Sequence, residues 1–85
     1  MRSRRLLAKL ARGDLRNVAF SDVRRLVEAF GFQLLRISGS HHIYSHPDLP
    51  EVVNLQEVRG QAKPYQIRQF LRLVERYNLH LENDR

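Results

Sequence analysis

Residues 30–47 run Phe30-Gly31-Phe32-Gln33-Leu34-Leu35-Arg36-Ile37-Ser38-Gly39-Ser40-His41-His42-Ile43-Tyr44-Ser45-His46-Pro47. Phe32 to Ile37 is rich in apolar residues and is expected to form a strand; Ser38-Gly39-Ser40 is a turn signal, and His41 to Ser45 follows as a second strand. The segment is therefore a hairpin. The pleat of its second strand sends His42, Tyr44 and His46 to one face and His41, Ile43 and Ser45 to the other.

Working outward, Ser21 is placed to cap a helix whose apolar residues Val23, Leu26, Val27 and Phe30 fall at i, i+3, i+4 and i+7. Phe20 precedes the cap as a staple, and Gly31 supplies the left-handed closing residue. On the other side, His46-Pro47-Asp48-Leu49-Pro50 favours a loop, and Glu51 to Leu55 resumes as a third strand. From Pro64 the period returns to 3.6, with Ile67, Phe70, Leu71 and Val74 on one face of a helix expected to end near Asn78. Before all of this, Leu6, Leu7 and Leu10 among Arg2, Arg4, Arg5, Lys9 and Arg12 predict a short basic amphipathic helix that Gly13 ends. It is expected to pack lightly on the domain. The expected fold class is α+β: a two-layer sandwich of helix, three antiparallel strands and helix, preceded by the extra N-terminal helix. Its order and size resemble those of double-stranded-RNA-binding domains. The chain divides into a basic extension at 1–16, the domain at 17–79 and a loosely held polar tail at 80–85.

Composition limits what such a domain can do. With 85 residues the chain has room for one core and none for a separate cofactor-binding domain. Fifteen Lys+Arg against nine Asp+Glu give a formal charge of +6, so polyanions are favoured partners. No cysteine is present, which excludes a disulfide framework and a thiolate zinc site and makes a cytoplasmic location the expectation. Lys9 and Arg12 interrupt the only N-terminal apolar stretch, so neither a signal peptide nor a membrane partner is expected.

Three of the four histidines fall within residues 41–46, the densest concentration of groups that titrate near neutrality. Metal binding fits poorly. On a strand, His42 and His46 stand about 13 Å apart, too far to share one ion, and His41 and His42 point to opposite faces. No metal or small-molecule cofactor is expected. If His41 begins its strand beside the Gly39-Ser40 turn, it projects where a large substrate can reach it.

From about Asn17 to Leu79 the chain resembles a HicA-family toxin, the ribonuclease half of a HicA–HicB toxin–antitoxin pair. The stretches that carry the resemblance are Phe20-Ser21-Asp22-Val23, Ala29-Phe30-Gly31-Phe32, the run Gly39 to Pro47, Asn54-Leu55-Gln56 and Lys63-Pro64-Tyr65-Gln66-Ile67-Arg68-Gln69. The resemblance implies a double-stranded-RNA-binding-like fold, sequence-relaxed cleavage of messenger RNA, and neutralisation by a HicB-type antitoxin that covers the histidine. It also implies a catalytic histidine in the Gly-Ser-His-His run, with His41 the first choice and His42 the second. The N-terminal extension and the long last helix depart from the usual compact toxin.

RNA carries its own nucleophile, so a base that removes the 2′-OH proton suffices to start cleavage, and neutral imidazole suits that task. Arg36, Lys63 and Tyr44 are candidates for stabilising the phosphorane charge, although each also has a plain structural reading: Arg36 snorkelling at the sheet edge, Lys63 solvated, Tyr44 in the core. Ser40, inside the histidine run, joins them as an RNA contact. The stripe Arg68, Arg72 and Arg76, with Arg59 and Lys63, is expected to hold phosphates, and Glu75 is the only acid between Arg59 and Arg76. The alternative to a ribonuclease is a non-catalytic RNA-binding module on the same scaffold.

Overall fold

A computed structural model describes residues 2–82. The elements follow in the order α1 (Ser3–Ala11), α2 (Phe20–Ala29), β1 (Gln33–Ser38), β2 (His41–Ser45), β3 (Val53–Val58), β4 (Gln61–Ala62) and α3 (Pro64–Arg76). The strands form one antiparallel sheet in the order β1-β2-β3-β4, so the α+β architecture expected from the sequence is the one observed. Three helices accompany it.

The hairpin turns as its sequence requires. Gly39 takes φ +60°, the left-handed value that a two-residue connection with the right twist demands. A second tight turn, Arg59-Gly60, has both residues at positive φ and folds β3 back onto the two-residue β4, a strand the sequence did not signal. β4 is short because Pro64 opens α3 two residues later, with extended Lys63 as its N-cap.

Helix α2 begins two residues earlier than the capping pattern predicts. Ala19 is the N-cap, and Ser21 sits exposed in the first turn without a capping bond. The reason is tertiary: Phe20 N–H donates to the Gly60 carbonyl at 2.8 Å, Ala62 N–H donates to Val18 O at 3.0 Å, and Ala19 bridges Gln61. The backbone entering α2 is thus tied to the β4 turn, and a side-chain cap is not needed. Phe20 itself is buried in the core rather than stapling over a cap.

All the helices lie on one face of the sheet. Val23, Leu26 and Val27 of α2, Ile67 and Phe70 of α3, and Tyr44 and Leu55 of the strands are fully buried together. Phe30 and Phe32 both meet the Phe70 ring edge-on, at 5.6 and 5.8 Å between centroids. Helix α1 is no light attachment: Leu6 and Leu10 are 1% and 2% exposed and belong to the same core, joined by Leu15 and Val18. Its arginines surround a stripe of leucines that the rest of the fold needs.

The C-terminal segment is also better anchored than a loose tail. Leu79 and Leu81 pack against the core, and Glu82 N–H donates to Ala29 O at 2.7 Å. Residues 83–85 lie outside the described residues. At the end of α3, the Glu51 carboxylate accepts from the Tyr77 hydroxyl at 2.6 Å and from Arg76 at 3.1 Å. The Tyr77 bond, with Arg76 beside it, holds the Glu51 carboxyl below its usual range; the same bond raises the Tyr77 hydroxyl against the opposing pull of Arg76. No helix among the described residues is long and apolar enough to cross a membrane.

Candidate functional site: the open face of the sheet

The alternation of β3 sorts the sheet into two sides. Val53 and Leu55 are buried toward the helices, while Asn54 is exposed and Gln56 partly so on the opposite, open side. The ladder sets Tyr44 against Val53 and His42 against Leu55, so these belong to the covered side; Ile43 against Asn54 and His41 against Gln56 belong to the open one. On β1, Ser38 opposes His41 and Arg36 opposes Ile43, which puts both on the open side. A bulge at Leu35 shifts the register and leaves Leu34 and Ile37 over the covered side, yet beyond the reach of the helices, at 46% and 55% exposure.

The three clustered histidines therefore have three different environments. His41 stands half-buried on the open face, its Nδ1 3.0 Å from Asn54 Oδ1. His42, one residue on, turns inward and meets the Phe20 ring edge-on at 4.7 Å, with its Nδ1 sealed from solvent and without a hydrogen bond. His46 is buried against Phe32 at 5.0 Å, and its Nδ1 accepts from Asp48 N–H at 3.1 Å, closing the Pro47-Asp48 turn. Among the described residues no three His, Cys, Asp or Glu side chains converge in a way that could hold a metal ion.

One cation shares the open face with His41, and a second stands where β4 gives way to α3. β3 and β4 pair Glu57 with Ala62 and Val58 with Gln61; Gln56 N–H donates to Gln66 Oε1 of α3, and Lys63, exposed and extended at φ −75°, ψ 132°, is the N-cap of that helix. Ser38, His41 and Gln56 form a row across β1, β2 and β3. Arg36 lies on the same face as His41, two residues along β1 from the Ser38 that opposes it, and is exposed. Ser40 is exposed in the turn just before His41, with its carbonyl pinned by Glu57 N–H at 3.1 Å.

A family model described as the HicA toxin of bacterial toxin–antitoxin systems matches residues 20–75, from the first residue of α2 almost to the end of α3. The chain belongs to the HicA toxin family. Comparison with curated proteins and with solved structures gave no match. A HicA toxin implies a cognate antitoxin as partner, and the family's double-stranded-RNA-binding-like fold is the arrangement seen here. Helix α1 precedes the matched span, so this HicA chain completes its core with residues outside the segment that defines the family.

Not every candidate residue comes near His41. Tyr44 is fully buried on the covered side, where burial, followed by the nearby Glu28 charge, pushes its hydroxyl up to about 12. A hydroxyl in that position faces the helices and not the open face. Arg68, Arg72 and Arg76 occupy the outward face of α3, and Arg76 is engaged by Glu51. Arg68 and Arg72 are exposed without an ion pair among the described residues. The residue that sequence reasoning passed over is Asn54. Its signal was the alternation Val53-Asn54-Leu55-Gln56, but its neighbour across the sheet is set by register, which single-strand patterning does not contain.

Proposed function

We propose that this HicA-family chain is an endoribonuclease toxin that cleaves messenger RNA without a metal, using His41 as the general base. The observation that carries the reading is the separation of His41 from His42. Of His41 and His42, only His41 presents its ring on the open face, with Nδ1 held by Asn54 and Nε2 free of hydrogen bonds among the described residues. His42 is committed to Phe20 and the core. Nε2 takes the 2′-OH proton, the 2′-oxygen attacks the adjacent phosphorus, and the bond to the 5′-oxygen breaks as that oxygen takes a proton from solvent. Arg36, on the same open face, supplies positive charge where the phosphorane becomes more negative, and Lys63, exposed at the start of α3, is proposed to add to it. Ser40 lies at the same edge as a hydrogen-bonding neighbour. The products are a 2′,3′-cyclic phosphate and a 5′-hydroxyl, and a HicB-type antitoxin would neutralise the toxin by covering this face.

Incubation of the purified protein with messenger RNA in EDTA, followed by analysis of the product ends, tests this directly. Cleavage with cyclic phosphate ends is the expected result. Dependence on added metal, or 5′-phosphate ends, would overturn it, and binding without cleavage would leave only an RNA-binding module.

Arg68 and Arg72 are proposed to hold RNA phosphates at a distance from the chemistry, with Arg76 contributing less because Glu51 already engages it. Replacing both Arg68 and Arg72 with glutamine is expected to weaken RNA binding uniformly across sequences. The slope of log affinity against log salt should fall by about 0.7 per lost phosphate contact on single strands. An unchanged slope would show that this helix face is merely solvated.

A further inference from the structure

We infer that Asn54 is a positioning residue for the reaction: it fixes His41 as the Nδ1–H tautomer and thereby leaves the Nε2 lone pair for the substrate. The inference rests on the reading of His41 as the general base. Asn54 sits opposite Ile43 on β3, and His41 lies two residues along β2, so the two side chains meet diagonally on the open face. The contact runs from His41 Nδ1 to Asn54 Oδ1 at 3.0 Å. With the Asn54 amide turned so that its oxygen meets the ring, Nδ1 carries the hydrogen, and in the neutral ring Nε2 is then the unprotonated atom. In free neutral imidazole side chains the other tautomer, with hydrogen on Nε2, predominates. A solvent-facing histidine without this partner would mostly present a donor to the 2′-OH instead of an acceptor.

The same bond restricts the ring. His41 begins its strand immediately after the Gly39-Ser40 turn, where the backbone is held by the Ser38 rung on one side and by the Glu57 N–H to Ser40 O bond on the other. That leaves the side-chain torsions as the remaining freedom, and Asn54 removes it by docking one ring edge to β3. The other nitrogen is thereby directed away from the strand that holds the ring. Asn54 needs no contact with RNA for this effect. Among the described residues, no other hydrogen bond to the His41 ring competes with it.

The test combines a readout on the protein alone with one on RNA. Imidazole nitrogen shifts, measured by long-range nitrogen–proton correlation at alkaline pH, are expected to show the Nδ1–H tautomer in the native protein and a mixture rich in Nε2–H in Asn54→Ala. Asn54→Asp, which keeps an acceptor oxygen, should retain the Nδ1–H tautomer. Cleavage of messenger RNA should fall by about tenfold in Asn54→Ala, the scale of one lost hydrogen bond in an oriented site, and be restored in part by Asn54→Asp. Asn54 is exposed and outside the core, so thermal unfolding of both variants should match the native protein. A native protein that shows mainly the Nε2–H tautomer, or an Asn54→Ala variant that cleaves at the native rate, would overturn the inference. If the tautomer shifts as expected while His41→Ala still cleaves normally, the assignment of His41 as base fails and Asn54 loses its part in the reaction, although its hold on the ring stands.

Discussion

Replacing His41 with alanine is expected to lower messenger RNA cleavage by about 10²- to 10⁴-fold, the usual contribution of a positioned general base, without disturbing the fold. The prediction is specific because the neighbouring residue offers a built-in contrast. His41 lies on the open face, where removing its ring leaves solvent behind. His42 lies under Phe20, with a ring that fills space between the sheet and α2. His42→Ala should therefore lower the unfolding temperature while leaving the cleavage rate of the folded fraction near native. His42→Phe should recover much of that stability, since Nδ1 is buried without a partner and an apolar ring relieves that cost. Rates of both variants, measured beside their unfolding curves, decide the matter. Loss of cleavage confined to the folded His42 variants would move the chemistry to the other face.

Leu10→Ala in α1 is expected to destabilise the protein by about 2–5 kcal/mol, the range for truncating a buried leucine to alanine. Leu10 is 2% exposed in the common core, so its removal leaves a cavity and not a solvated gap. A single domain of this size has about 5–15 kcal/mol in total, so one truncation takes a large share of it. Removing α1 altogether also removes Leu6 and uncovers α2, and a chain starting after Gly13 is expected not to hold its fold. Chemical denaturation measures the first outcome and near-ultraviolet circular dichroism the second. A Leu10→Ala midpoint equal to the native one would return α1 to the status of a surface attachment. By contrast, charge removal at Arg5, which is exposed on the same helix, should leave stability nearly unchanged.

The order of elements was legible because local patterning carries it. The i, i+3, i+4, i+7 spacing of Val23 to Phe30, the glycine turn before His41 and the Pro64 helix start are each readable from a few adjacent residues, and β2 and α3 start where those signals put them while α2 starts two residues early. The same is true of the two sides of β2, since the pleat alternates whatever the partner strands do. What local patterning missed was always settled by a distant segment. Ser21 has the chemistry of a cap, but the Gly60 carbonyl supplies the bond at that helix start. Val58-Arg59-Gly60-Gln61 became a second hairpin only because β3 had a partner to gain on its far edge.

The site divides along the same line. His41 and His42 were marked as a pair by sequence, and their opposite directions follow from the pleat alone; which direction is open was decided by where the three helices packed. Burial beneath those helices assigned Tyr44 to the core, and the pairing of β1 with β2 put Arg36 on the face that His41 shares. Asn54 entered only through register, thirteen residues along the chain from the ring it holds. Alternation and helical period are properties of one segment and survive without a fold, whereas register, coverage and side-chain pairing are relations between segments. Those exist only once the core formed by Leu6, Leu10, Leu26, Tyr44, Leu55 and Phe70 has excluded water and chosen one arrangement.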